Sequence, residues 1–555
     1  MIISGDTRRL VLVSALYSAL TFVMAYPLSA SPGSTVVWDA PDTHVYLWTL
    51  AWDAYAFLHR PLLIFDANIY YPFTNTLAYS ENLIGTAFFA APIIWLTGNL
   101  VLGMNFAALI TCVLCGVGGY VLARRWHLSP YAAFLCGLVF EFAPPRFIKL
   151  GQLHLTAIQW IPFTLAFLHS YLERGRRRDL LLALGCFTLQ ALSSGHGALF
   201  LALAIALLLA WRIALGQPIA IRQWLRDCGA TGAYLLAPSV WMMLPYRAVQ
   251  ADAGLRRGYS PDAMPGLIDF LASPSRFHIY VQREWLGQPT INDQAIAYMF
   301  PGVLALLLGG VAIALWRPRR GSLRTDATVF FALLGILSTL MFASWPFQLW
   351  RHIYWMPGIN FVRAPPRFAL LGLLCLAMLV AIAFDRLTVR TSSRARLIAA
   401  GALSLALLAE YSSVPFAAQP FAIDPPAVDR WLNTRPKPFA VAEFPQPSPF
   451  LLGEYERHHT HAMLHATVHW QKTVHGYSSH RRPLHERLYW NMMSFPEDAI
   501  LSELLDLGVD YVVVHTDRYP GERWRDEIAP KVERSPRLEL LHTDGAGRVY
   551  ALRER

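Results

Sequence analysis

Two aspartates follow the first apolar run of the chain, in Trp38-Asp39-Ala40-Pro41-Asp42-Thr43-His44, and an aromatic run follows them at helix-like spacing: Tyr46, Trp48, Trp52, Asp53, Tyr55 and Phe57. Trp and Tyr favour the boundary between membrane and water. The segment is therefore expected to lie flat on the outer leaflet with its carboxylates at headgroup depth. A carboxylate partly stripped of water there has a raised pKa and can act as a general base; in open solvent it is an ordinary loop aspartate. A second concentration of reactive side chains is His458, His459, His461, His465, His469, His475, His480 and His485. His461, His465 and His469 repeat every fourth residue and could bind zinc on a helix. The alternation in Thr467-Val468-His469-Trp470 and Thr473-Val474-His475 reads instead as strand, which would break that face, so polar lining or plain surface is the preferred reading. Cys112 and Cys115 form a C-x-x-C with no second pair to complete a metal site, and all six cysteines lie in or beside apolar runs, so neither a metal, a redox role nor a disulfide framework is expected.

The elements that would carry these residues follow from composition. Of 555 residues, 55% are hydrophobic and 15% charged, against roughly 25% charged in a soluble domain. This excludes a disordered scaffold, a disulfide-rich secreted mini-protein and an ordinary cytosolic enzyme, and leaves an α-helical polytopic membrane protein. The net charge of +10 comes almost wholly from Arg, since Lys149, Lys437, Lys472 and Lys531 are the four lysines. The arginines form short clusters between apolar runs, which points to membrane topology and membrane lipids rather than to nucleic acid.

Apolar runs of spanning length lie near 10–29, 104–122, 130–145, 155–172, 180–193, 196–212, 229–245, 296–316, 327–345, 367–385 and 396–412. The first, behind Arg8 and Arg9 and before Leu28-Ser29-Ala30, is read as an uncleaved first helix rather than a cleaved signal. The run 83–100 follows Glu81 and Asn82 and contains Pro92. If it lies along the membrane, Arg124 and Arg125, Arg174 with Arg176 to Arg178, Arg222 with Arg226, Arg317 to Arg324 and Arg386 to Arg396 all fall inside with Arg8 and Arg9; if it crosses, all of these later clusters fall outside. The positive-inside rule selects the first arrangement: about eleven spans, an interfacial 83–100, and outer segments at 30–103, 143–154, 246–295 and 346–366. Residues 1–412 are then a transmembrane domain, and 413–555 a small soluble α/β domain outside the membrane. Its Pro-rich entry runs from Pro415 to Pro449, its helix covers Glu497 to Leu507, and its strands are Val509 to Val514, Leu538 to Leu541 and Val549 to Leu552.

Several motifs carry a resemblance. They are Pro41-Asp42, Leu47-Trp48-Thr49-Leu50-Ala51-Trp52-Asp53, Phe65-Asp66-Ala67-Asn68-Ile69-Tyr70-Tyr71-Pro72 and Leu77-Ala78-Tyr79-Ser80-Glu81-Asn82. Phe142-Ala143-Pro144-Pro145-Arg146-Phe147, Gly151-Gln152-Leu153-His154 and Gln159-Trp160 continue the series. Gln190-Ala191-Leu192-Ser193-Ser194-Gly195, Arg363-Ala364-Pro365-Pro366-Arg367-Phe368 and Gly476-Tyr477-Ser478-Ser479 complete it. Over most of its length the chain resembles bacterial membrane glycosyltransferases of the GT-C superfamily, which use polyprenyl-phosphate sugars, and most of all a poorly characterised bacterial branch. The resemblance implies interfacial helices in the first outer loop, a bacterial inner-membrane location, and inverting sugar transfer at the outer face. The acceptor, a glycan, lipid or protein, attacks the anomeric carbon while the lipid phosphate leaves.

By the same resemblance the general base is an aspartate just after the first span. Asp42 matches that position and Asp39 is the near alternative. The leaving phosphate needs positive charge, for which Arg146 and Lys149 in the second outer loop and Arg363 and Arg367 in the fourth are the candidates, with Arg256 and Arg257 a weaker pair. Many relatives carry a second acid in the second outer loop; here 143–154 has none, and Glu141 and Glu81 are the nearest substitutes. No cofactor is required on this reading, and a divalent metal has no support. Trp52, His154 and His196 are placed near the substrate, the histidines as sugar-hydroxyl contacts or as structural residues. A transporter or flippase of lipid-linked glycans, or a non-catalytic membrane scaffold, is the alternative. A transporter should show repeats and mid-membrane charges, and neither is evident.

Overall fold

Every apolar run named above folds as helix, the conformation that satisfies backbone N–H and C=O groups within one segment when lipid offers no partners. The structure, a computed structural model, describes residues 5–216, 221–253, 261–317, 326–344, 347–356, 359, 362–478 and 480–554. In chain order the helices on these runs are Gly5–Met24, Leu100–Arg125, Pro130–Phe142, Trp160–Arg174, Arg177–Ser193, Gly195–Ala214, Ile221–Ala253, Val303–Ala314, Ala327–Leu340, Ala369–Thr388 and Ser393–Tyr411. Among the described residues, four helical stretches are both long and apolar enough to cross a membrane unaided: Thr7–Met24, Leu100–Arg125, Gly195–Ala214 and Pro365–Thr388. The first helix leaves Val11, Leu12, Phe22 and Val23 more than half exposed, a face suited to lipid tails. Arg256, Arg257 and most of the 317–324 cluster lie outside the described residues.

The helix ends sort into two sets by their contacts. On one side, Phe416 N donates to Tyr26 O at 2.6 Å, Asn99 Nδ2 to Gly33 O at 3.0 Å and Arg276 N to Ser412 O at 3.0 Å. Gly195 N and Glu81 meet on this side too. On the other, Ser129 N donates to Asp385 at 2.7 Å, Arg177 Nε to Asp227 O at 2.9 Å and Arg386 Nη2 to Thr328 Oγ1 at 2.6 Å. The first set holds the ends assigned to the outside by charge, and the second holds those assigned to the inside. The helix Ile84–Thr97 has both of its ends with the first set. At one end, a Cβ on Gly85 would stand 2.8 Å from the backbone nitrogen of Ser193, so only glycine permits that approach. At the other, Gly98 and Asn99 turn the chain beside Gly33.

Beyond Ser413 the chain builds a mixed five-stranded sheet from β1 (Ala440–Phe444), β2 (Lys472–Thr473), β3 (Tyr511–His515), β4 (Leu538–Asp544) and β5 (Gly547–Leu552). The order is β2-β1-β3-β5-β4, with β1 parallel to β2 and β3, and β5 antiparallel to β3 and β4. Its three expected strands and its Asp498–Asp506 helix are present within a few residues of the expected limits. The central β1 falls instead in the stretch expected to be linker. All five of its residues are buried, so it lacks the alternation that marks a half-exposed strand, and Pro438 and Pro445 flank it like turn residues. Val441, Val513 and Val549 pack one face of the sheet, and Phe444, Val512 and Leu501 pack the other.

The His-rich segment is mainly the helix Leu452–His465. His469 lies past its end, so the expected fourfold repeat is broken by the end of the helix rather than by a strand, which is confined to Lys472–Thr473. Among the described residues no group of three or more His, Cys, Asp or Glu side chains could hold a metal. All six cysteines are free thiols. Burial, first of all, holds His461, His465, His475 and His485 down to about 4. An unfolded chain binds protons at these positions below about 6.5, while the folded chain resists until about 4. Their contribution to stability is thus fully present above the unfolded value and is lost as pH falls through the interval. Proteolysis of the full-length protein in detergent should release fragments from the C-terminal region increasingly between pH 6.5 and 4; a cleavage rate flat over that range would contradict the burial of these imidazoles.

Candidate active site at the outer helix ends

Asp42 sits in the first turn of the helix Pro41–His59, where Pro41 pre-sets the backbone and a carboxylate complements the helix dipole. It is half-buried. Its Oδ1 accepts a hydrogen bond from Tyr477 Oη at 3.2 Å, and its Oδ2 has no partner among the described residues. One lone pair is therefore held and the other is open. Tyr477 arrives from the C-terminal region through Gly476, where an added Cβ would stand 2.5 Å from the Tyr70 ring. A glycine is required for that passage.

Opposite stand the cations. Arg367, at the start of the Pro365–Thr388 stretch, donates from Nη1 to His196 Nε2 at 2.6 Å, and its charge is felt by Tyr46, Glu81, Asp42 and Arg363. Lys149 is close enough to repel Arg367, and burial first, then that charge, pulls its ammonium down to about 8. His154 stacks on Tyr46 with ring centroids 4.6 Å apart and lies edge-on to His196 at 5.6 Å. Burial, reinforced by the charges of Arg367 and Lys149, holds His154 well below the ordinary histidine value, which keeps it neutral. The chain thus brings Lys149, His154 and Arg367 to the same place as Asp42 and Tyr46, with Arg363 exposed.

Other expected residues are differently engaged. Arg146 is fully buried, donating to Glu141 O at 2.9 Å and Thr156 O at 3.1 Å. It ties down the backbone on both sides of Lys149 and His154 and does not face the site. Glu141 is equally buried and accepts from Thr21 Oγ1. Trp52 is fully buried, with Nε1 donating to Ile64 O at 2.7 Å, which makes it part of the packing of the first loop. Glu81 accepts from His196 Nδ1 and Gly195 N, so both its oxygens are occupied within the protein. Burial raises the Glu81 carboxyl, but the nearby His196 and the hydrogen bonds outweigh it and hold the group below its usual range.

Asp39 is bound by His44 Nε2 at 2.7 Å and by Arg457 Nη1 at 3.0 Å. Burial raises its carboxyl, and the hydrogen bonds from Arg457 and His44 more than reverse this. His44 Nδ1 in turn meets Thr460 Oγ1 at 3.0 Å. Asp39 therefore fastens the C-terminal region onto the first loop. Three site-forming residues carried no individual signal in the sequence: Tyr46, Tyr477 and Glu456, the last of which lies within electrostatic reach of Asp42. The Gly476-Tyr477 pair was visible only as part of a motif, because its partner Asp42 is 435 residues away.

No family model matches the chain, and no curated protein is similar to it. Solved structures are. ArnT from Cupriavidus metallidurans in the apo state superposes with a TM-score of 0.50 at 12% identity, covering 99% of this chain and 98% of that one. A structure of ArnT from Cupriavidus metallidurans bound to undecaprenyl phosphate gives a TM-score of 0.49 at the same identity and coverage. The chain shares the fold of that apo ArnT structure over its whole length. The shared fold agrees with the resemblance seen in the motifs, and four described helical stretches are long and apolar enough to cross a membrane.

If the Lys149 charge serves an anion, affinity for a polyprenyl phosphate should fall as pH rises through about 8, by up to roughly tenfold per unit. In Lys149→Arg the affinity should stay level across that range. Titrations of wild type and variant with the same pH profile would show that Lys149 does not touch the anion.

Proposed function

We propose that this chain is an inverting glycosyltransferase that takes a sugar from a polyprenyl-phosphate donor at the outer face of a bacterial inner membrane. The observation that carries this reading is that Arg367, with Lys149 beside it, lies within electrostatic reach of Asp42, whose Oδ2 has no partner among the described residues. The GT-C fold supports it in general terms.

In the proposed step Asp42 Oδ2 accepts the proton of an acceptor hydroxyl. The freed oxygen forms a bond to the anomeric carbon. The bond from that carbon to the phosphate oxygen breaks, and its electron pair leaves with the lipid phosphate. A single displacement of this kind inverts the anomeric configuration. The phosphate gains a second negative charge as it departs, so cations beside it stabilise the transition state more than the bound donor. Arg367, with a planar array of donors, suits two phosphate oxygens, and Lys149 suits one. Neutral His154 and Tyr46 provide hydrogen-bonding and stacking surface for the sugar. A scaffold would leave the carboxylate of Asp42 and the half-buried cations without a role.

The accompanying topology is eleven spans with Ile84–Thr97 and Pro41–His59 at the outer interface and residues 413–555 outside. The sorting of helix ends by their hydrogen bonds supports it.

Asp42→Asn should lower sugar transfer in membranes by roughly 10²–10⁴-fold, the range for loss of a general base, while Asp39→Asn retains most transfer. Full transfer by Asp42→Asn would overturn the assignment. A periplasm-dependent reporter fused after Arg555 should be active and a cytoplasm-dependent one silent; the opposite pattern would rule out the proposed topology.

A further inference from the structure

His196 has a proton arrangement that its neighbours leave no freedom to change. A guanidinium carries only N–H donors. Its contact of 2.6 Å from Arg367 Nη1 therefore makes His196 Nε2 the acceptor, and the ring's proton must sit on Nδ1. That proton is donated to Glu81 Oε1. The other carboxylate oxygen, Oε2, accepts from Gly195 N at 2.8 Å, at the first residue of the helix Gly195–Ala214. Glu81 cannot turn away without exposing an unsatisfied helix terminus. The chain Gly195–Glu81–His196–Arg367 is thus fixed link by link, with Glu81 and His196 both buried. The remaining guanidinium N–H groups of Arg367 make no hydrogen bond among the described residues, so they stay available to a ligand.

We propose that Glu81 and His196 are positioning residues that present Arg367 to the departing phosphate, rather than contacts to the sugar. This rests on the reading of Arg367 as a cation for the lipid phosphate. The imidazole Nε2 takes one guanidinium donor and so sets the rotation of the planar group, which decides whether its other donors meet two phosphate oxygens or none. The buried carboxylate makes Nε2 more basic by accepting from Nδ1, and it fixes the tautomer. Its negative charge also offsets that of Arg367, which has Lys149 and Arg363 as positive neighbours.

The test is a double-mutant cycle on the full-length protein, read as affinity for undecaprenyl phosphate and accompanied by thermal melts of each variant. Arg367→Gln should weaken binding strongly and His196→Ala several-fold. The double variant should bind no more weakly than Arg367→Gln alone, because His196 acts only through the arginine. His196→Gln, whose side-chain carbonyl can still accept from Arg367, should recover most of the affinity lost in His196→Ala, a recovery that a general packing role does not give. If His196→Ala does not fold, Glu81→Gln takes its place in the cycle with the same expected non-additivity. Losses that multiply in the double variant, with Arg367→Gln alone impaired, would overturn the positioning role and leave the phosphate site standing. Wild-type affinity in Arg367→Gln would instead overturn the phosphate site and the positioning role with it.

Discussion

A guanidinium at the end of an apolar helix stays charged and in place only if the protein replaces the water it has lost. Arg367 meets this constraint through His196 and, behind it, Glu81. An isolated buried charge is costly, whereas one with a hydrogen-bonded counter-charge is tolerated. The countercharge here is set back by one imidazole. A carboxylate in direct contact would occupy the guanidinium donors, whereas one behind a histidine compensates the charge and leaves those donors free. Lys149 shows the same constraint in a weaker form, since burial beside Arg367 brings its ammonium close to losing its proton.

The carboxylate side depends on a different arrangement. Asp42 lies on a helix of the first loop, but the donor that orients it, Tyr477, belongs to the C-terminal region. Their juxtaposition requires that region to sit in one place. Asp39 bound to Arg457 and His44, Lys472 bound to Asp66 at 3.0 Å, and the backbone pairs Tyr70 N to His475 O and Thr473 N to Asn68 O together hold it there. The C-terminal region is thus part of the catalytic architecture as proposed, more than a soluble appendage.

The sequence disclosed features carried by local periodicity and charge. The helical runs and three of the strands could be read because each depends on neighbours close in sequence. Asp42 could be singled out because the resemblance points to an aspartate just after the first span, and Lys149 and Arg367 because a leaving phosphate needs positive charge. What stayed hidden needs three-dimensional partners. Arg146 and Arg367 occur in the same Ala-Pro-Pro-Arg-Phe pattern, yet one guanidinium is fully buried against carbonyls and the other faces the site. Asp39 and Asp42 are three residues apart, and only the position of Arg457 and Tyr477, more than 400 residues later, separates a clamp from a candidate base. The strand at Ala440–Phe444 was hidden because complete burial erases alternation.

The central claim is that Asp42 and the Lys149–Arg367 pair address opposite sides of one reacting bond. A cryo-EM structure of the protein with a polyprenyl phosphate bound tests it most directly. The account predicts the phosphate within hydrogen-bond distance of Arg367 and Lys149, with open space for a sugar between it and Asp42. A phosphate bound elsewhere, with Lys149 and Arg367 still in contact only with protein, would contradict it.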